Sequence, residues 1–288
     1  MGITLGANRY GKAEVRLVRV VRDGARHELR DLTVSVALTG DLADTHLTGD
    51  NAHVLPTDTQ KNTVYAFARR HGIAEIETFA LRLARHFVDS QPAIHSARVR
   101  IEEDPWRRLG PHSFQRDGGE TRLATVTVTD QPGSDQPGSV TVESGLIGLT
   151  LLNSTGSEFT GYPRDEYTTL PETTDRILAT AVDARWRHTG VEVDFDDSHG
   201  AVRAALVGAF VETYSRSLQQ TLYAMGERVL RERPEVAEIR LRLPNRHHLL
   251  VDLTPFGLDN PDEVYVATDR PYGLIEATVT REHPAGGS

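Results

Sequence analysis

Hydrophobic and polar positions alternate with period two at both ends of the chain and with period near 3.6 in two stretches between, so strands and helices are both written into it. Residues 14 to 22 (EVRLVRVVR) and 27 to 38 (HELRDLTVSVAL) are β-rich and partly alternating, and Asp23-Gly24 between them predicts a hairpin. A polar loop runs to Pro56. Thr57-Asp58-Thr59 then offers cap chemistry to a helix ending near Arg70, with Gly72 as terminator. Ile76, Phe79, Ala80, Leu83, Ala84 and Phe87 follow at i, i+3, i+4, i+7, i+8 and i+11, one buried face of an amphipathic helix. Strands are predicted at 93 to 104, 112 to 116 and 122 to 129, so the first half reads ββααββ.

DQPGSDQPGS at 130 to 139 is a duplicated Pro/Gly/Ser segment, and the domain boundary is placed there, giving units of 1–138 and 139–288. In the second half, 140 to 152 and 177 to 188 predict another ribbon, although 173 to 184 also suits a helix. The helical pattern from Ser198 to Arg233 contains a fresh start: Ser217-Leu218-Gln219-Gln220 fits a capping box, so two helices should meet near Arg216. EIRLRLP and NRHHLLVDL follow as two alternating stretches hinged at Pro244. Strands, helices, strands in each half make a tandem of two α+β units the economical reading.

Composition narrows the function. At 288 residues the chain can bury about three quarters of its unfolded surface. Hydrophobic residues at 38% and charged residues at 25% suit a globular protein. A formal charge of −9 argues against a general nucleic-acid binder or a polybasic membrane anchor, while leaving room for a local basic pocket. With no cysteine, disulfides, thiolate metal sites and cysteine nucleophiles are excluded. Neither a signal peptide nor a long apolar run is read, and a cytoplasmic address is expected.

Familiar catalytic signatures are missing: no Walker loop, GxGxxG, GxSxG or HExxH. The twelve histidines are scattered, and the adjacent His247 and His248 point to opposite faces of a strand, so they cannot share one ion. Asn245 and His247 share a face and could hold a ligand or water, or form a satisfied structural pair. Thr57 and Asp58 are explained by capping alone, yet a helix start also offers free N–H groups to an anion. Gln219 is placed at another such start. Phe159 is either a hydrophobic plug or a stacking platform. Arg176 is a surface ion pair or a bidentate clamp for a planar anion, and Lys12 is solvated unless given a task.

Taken together, YGK at 10 to 12, TDTQKNT at 57 to 63, HSFQRD at 112 to 117, the long run from Leu149 to Leu178 containing STGSEFTGY, and LPNRHH at 243 to 248 resemble urate oxidase (uricase), in order along nearly the whole chain. The resemblance implies tandem tunnelling-fold domains, each an antiparallel sheet backed by helices, closing into barrels in a homotetramer. It implies urate and molecular oxygen as substrates, no cofactor and no metal, and sites assembled from two subunits. It gives Lys12, Thr57 and His247 the proton relay and Thr57 and Asp58 a place at the substrate. Phe159 becomes the stacking ring, Arg176 and Gln219 a pincer, and Asn245 the amide at the oxygen or water site. Leu218, where the family often has valine, is expected to touch substrate through its backbone. The C-terminal EHPAGGS lacks the peroxisomal address of eukaryotic members, so a bacterial, cytoplasmic enzyme is expected. Other enzymes of the tunnelling fold act on pterins or purines but commonly need a metal or a catalytic cysteine; a barrel that has lost catalysis is the rival outside enzymes.

Overall fold

The computed structural model describes residues 2–130 and 138–282. Most of the Pro/Gly/Ser segment, and the C-terminal stretch from residue 283, lie outside the described residues. By internal contacts the chain forms two compact units, Met1–Gly145 with Arg187–Asp196, and Leu146–Trp186 with Asp197–Ser288. This division falls inside a strand, β7, whereas the sequence placed the boundary beside residue 138.

The first unit holds strands β1 (Tyr10–Val21), β2 (Glu28–Gly40), β3 (Ile94–Glu103) and β6 (Thr121–Thr129) in the order β1-β2-β3-β6, all antiparallel. Two helices back it, α2 (Thr57–His71) and α3 (Ile76–Ser90), after a single-turn α1 (Ala43–Leu47) that the polar loop did not announce. Period two decides the faces: Val34, Val36 and Leu38 of β2 and Ala97, Val99 and Ile101 of β3 are buried. The predicted stripe of α3 is buried along its whole length, Phe79 and Phe87 included. Each large apolar side chain so covered contributes about 1.5–3 kcal/mol. The 112 to 116 stretch does form a strand, β5 (Phe114–Arg116), but it pairs with a short β4 (Trp106–Arg108) in a separate two-stranded sheet.

The second unit orders its strands β7-β8-β9-β10: β7 (Ser139–Asn153), β8 (Leu178–His188), β9 (Val236–Leu250) and β10 (Tyr265–Thr280). Helices α4 (Phe195–Glu212) and α5 (Leu218–Glu232) complete it. Residues 178 to 184 are strand, not helix. Two expectations are corrected here. Pro244 is no hinge, because β9 runs unbroken through it with Pro244 opposite Leu274. The fourth strand is therefore β10, which the sequence did not reveal: its residues are almost all exposed, so no hydrophobic alternation marks them.

Candidate functional site

In the first unit, Lys12, Thr57 and Asp58 come from the first strand and the first turn of α2. Gly11 precedes Lys12 for a steric reason: a Cβ there would lie 1.9 Å from the Val36 carbonyl oxygen. Just after Lys12 the register with β2 slips, and Glu14 takes a φ of 56° while its N–H donates to Ser35 Oγ at 3.0 Å. A bulge of this kind turns a strand and re-aims the side chains beside it. Lys12 is half-buried and close enough to Asp58 for its charge to help hold that carboxyl below the usual range. The larger causes are the hydrogen bond and charge of Lys61; Asn62 adds a hydrogen bond of 2.9 Å.

The capping reading of Thr57 does not survive. Pro56 is the cap of α2 and Thr57 the first helical residue, with no side-chain cap at all. Proline presets the entry dihedral and has no N–H to lose at a helix start. The Thr57 hydroxyl, half-buried, is thereby left out of any hydrogen bond among the described residues and is available to chemistry.

In the second unit, the loop from 154 to 177 carries Phe159 and Arg176. Phe159 and Thr173 exchange backbone hydrogen bonds of 2.8 and 3.2 Å, which pins the ring's backbone inside the loop. Tyr162 stacks on Phe159 with centroids 4.9 Å apart and planes 15° from parallel. The Arg176 guanidinium carbon lies 5.3 Å from the Phe159 centroid, and its Nε donates to Ser157 Oγ at 3.3 Å. Burial alone lowers the pKa of this guanidinium, and no carboxylate opposes the shift. A half-buried cation so placed favours an anionic partner. The neighbouring Asp175 is spent elsewhere, accepting from the Thr155 hydroxyl and the Gly156 N–H.

The same loop is tied to the start of α5. Glu158 N–H donates to the Ser215 carbonyl at 2.8 Å, and Ser215 N–H to that of Gly156 at 3.0 Å. Ser217 caps α5 as its sequence predicts, accepting from Gln220 N–H at 3.2 Å, while Gln220 Oε1 accepts from Arg216 N–H at 2.8 Å. Leu218 is buried and Gln219 exposed at the second helical position, among the unpaired N–H groups of the first turn.

Asn245 and His247, both half-buried, continue the face on which Leu241 and Leu243 are buried. Gly226 of α5 packs on Ile239 of β9. Stepping back seven residues along α5 covers about 10 Å, which is about three residues along β9. That puts Gln219 roughly level with Arg242, about three residues along β9 from Asn245. The loop carrying Phe159 and Arg176 is thus tied to the residues just before α5, on which Gln219 stands. Sequence reasoning missed Ser157, Ser215 and Tyr162, which orient these groups. Only the serines' place in polar loops marks them.

Among the described residues no three His, Asp or Glu side chains form a group able to hold a metal ion.

The uricase family model matches residues 8–127 and 142–276. A uricase from Arthrobacter globiformis is 55% identical over 282 residues, spanning 97% of this chain and 91% of that protein. A uricase from Dictyostelium discoideum is 37% identical over 289 residues, spanning 97% and 98%. The crystal structure of uricase from Arthrobacter globiformis superposes with a TM-score of 0.93 at 52% identity, covering 99% of each chain. With the motif strings, the tandem α+β fold and this breadth of likeness in agreement, the chain belongs to the uricase family.

Proposed function

We propose that the protein oxidises urate with molecular oxygen and water to 5-hydroxyisourate and hydrogen peroxide, using Lys12, Thr57, Asp58, Phe159, Arg176, Leu218, Gln219, Asn245 and His247 as its site. The observation that carries the reading is the half-buried Arg176 guanidinium beside the Phe159 ring with no carboxylate against it. A planar anion with hydrogen-bonding edges answers both groups at once.

Urate is an easily oxidised anion, so the protein's work is to desolvate it, orient it and remove a second proton while dioxygen is held close. Phe159 stacks the purine; Arg176 and Gln219 grip it from two sides, and the Leu218 backbone supports that grip. The Thr57 hydroxyl takes part in proton removal. Because a hydroxyl is a poor base alone, the Lys12 amine accepts its proton, and His247 completes the relay through water. Asp58 helps hold the substrate at the Thr57 side. Asn245 holds dioxygen or water over the ring. The urate dianion gives an electron to dioxygen, the two recombine as a hydroperoxide at C5, hydrogen peroxide leaves with the two electrons, and water adds at C5. No redox cofactor enters this balance.

We also propose a homotetramer in which the Lys12–Thr57 half of one subunit meets the Arg176–Phe159 half of another. In support, each unit ends in a long edge strand, β1 and β10, and β10 exposes Val266, Tyr272 and Leu274. Bare edges and apolar patches of that kind call for covering. The test is ultraviolet loss of urate in aerated buffer by metal-stripped, flavin-free protein, with peroxide measured in parallel. Urate left intact refutes the proposal.

A further inference from the structure

Two serines of the second unit, Ser157 and Ser215, are fully buried behind the proposed grip on the purine. A hydroxyl taken out of water costs free energy unless it finds a partner, and each of these has found one. Ser157 Oγ accepts from Arg176 Nε at 3.3 Å. Among the described residues the two terminal nitrogens of that guanidinium make no hydrogen bond and no ion pair. A guanidinium is a flat fork, so a tie at Nε sets its plane and direction while leaving both prongs for a planar anion.

Ser215 serves the other side. The Thr221 hydroxyl donates to Ser215 Oγ at 2.8 Å, and Ser215 Oγ donates in turn to the Ser217 carbonyl at 3.1 Å. Thr221 is fully buried within α5 and Ser217 is the cap of that helix, so this chain of hydroxyls fastens the turn on which Gln219 stands. The two serines also face each other across a parallel bridge, with backbone hydrogen bonds of 2.8 Å from Glu158 N–H to the Ser215 carbonyl and 3.0 Å from Ser215 N–H to that of Gly156. Arg176 is therefore tied to one side of a single bridge and the start of α5 to the other.

We propose that Ser157 and Ser215 are positioning residues for the grip: Ser157 aims the Arg176 guanidinium, Ser215 steadies the first turn of α5 under Gln219, and the bridge between the serines holds the two in register. The inference rests on the urate reading above and deepens it. A side chain already ordered in the free protein spares the ligand the cost of ordering it. Arg176 and Gln219 hold the purine alike before and during the reaction, so loosening either weakens binding without slowing the chemistry, and the effect belongs in KM and not in kcat.

The experiment measures kcat and KM for urate in the assembled full-length protein: wild type, Ser157→Ala, Ser215→Ala, Arg176→Ala, Gln219→Ala, and the double variants that join Ser157→Ala to Arg176→Ala and Ser215→Ala to Gln219→Ala. A wild type that leaves urate intact refutes the functional reading, and the proposal falls with it. With wild type active, each serine variant should raise KM about fivefold or more while kcat stays within about twofold. The double variants separate positioning from bulk stability. Once Arg176 is alanine, Ser157→Ala should raise KM no further, and Ser215→Ala should add nothing once Gln219 is alanine. Ser157→Ala removes a single oxygen and leaves the hydroxyl chain at α5 whole, so it decides the matter even should Ser215→Ala fold poorly. An unchanged KM, a loss confined to kcat, or a rise in KM that persists undiminished without Arg176, whatever happens to the melting temperature, reduces the serines to structural roles and overturns the proposal.

Discussion

Arg176 holds its guanidinium 5.3 Å from the centre of the Phe159 ring, and no carboxylate opposes the fall in its pKa that burial causes. Replacing it with alanine removes the only formal positive charge among the residues proposed to grip the purine. The KM for urate should rise roughly tenfold to a hundredfold, the worth of about 1.5–3 kcal/mol for a hydrogen bond to a charged group. Arg176→Lys should recover only part of the loss, because an ammonium restores charge without the planar fork. Steady-state kinetics by urate absorbance measure both; full recovery by lysine would mean that charge alone matters.

Lys12→Met and Thr57→Val test the relay from its two ends. Each should slow turnover by orders of magnitude while an unreactive urate analogue still binds nearly as tightly. Because the two act in series, the double variant should be little slower than the worse single one. Multiplying losses, read from single-turnover rates, would show that they act independently and dismantle the pair.

Much of this was legible in the sequence, and the failures have physical causes. The α5 start could be read because a capping box is a local device: Ser217 and Gln220 satisfy each other's neighbourhood within one turn. Thr57 misled because threonine at a helix start usually caps, whereas in the fold Pro56 has taken that position. Period two foretold the faces of β2 and β3 but was blind to β10, whose sides are both largely exposed in this chain. The ties from Arg176 to Ser157 and from Glu158 to Ser215 join residues far apart in sequence, and no local pattern encodes them. The motif strings named the candidate site residues, and the fold shows the local surroundings of Lys12, Thr57, Phe159 and Arg176.

Gly11 cannot be replaced without moving the strand beside it, since a methyl there meets the Val36 carbonyl oxygen at 1.9 Å. Gly11→Ala should destabilise the protein by more than about 2 kcal/mol. A fall of roughly 5 °C or more in melting temperature is the expected scale. Activity should suffer beyond what stability explains, because the displaced strand carries Lys12. A variant that melts with the wild type would show that β1 yields freely at this point.

Glu77 gives the protein a pH signature unrelated to its reaction. The residue is fully buried on α3, and burial raises its carboxyl above the ordinary 4.5, although the Arg122 guanidinium at 2.9 Å and the Ser144 hydroxyl at 2.6 Å pull the other way. A native carboxyl that binds its proton more tightly than the unfolded one contributes most to stability below about pH 4.5. That contribution is lost as the pH climbs through the raised native value. Glutamine in its place cannot ionise and can still accept from Arg122, which keeps Asp196 as an ionic partner. Whatever constant offset Glu77→Gln introduces, the stability difference should therefore move in the variant's favour as pH rises from 4.5. Melting curves of both proteins over that range decide it. A wild type that gains on the variant as the pH rises would mean that attraction to Arg122 outweighs desolvation and that the carboxyl is ionised throughout.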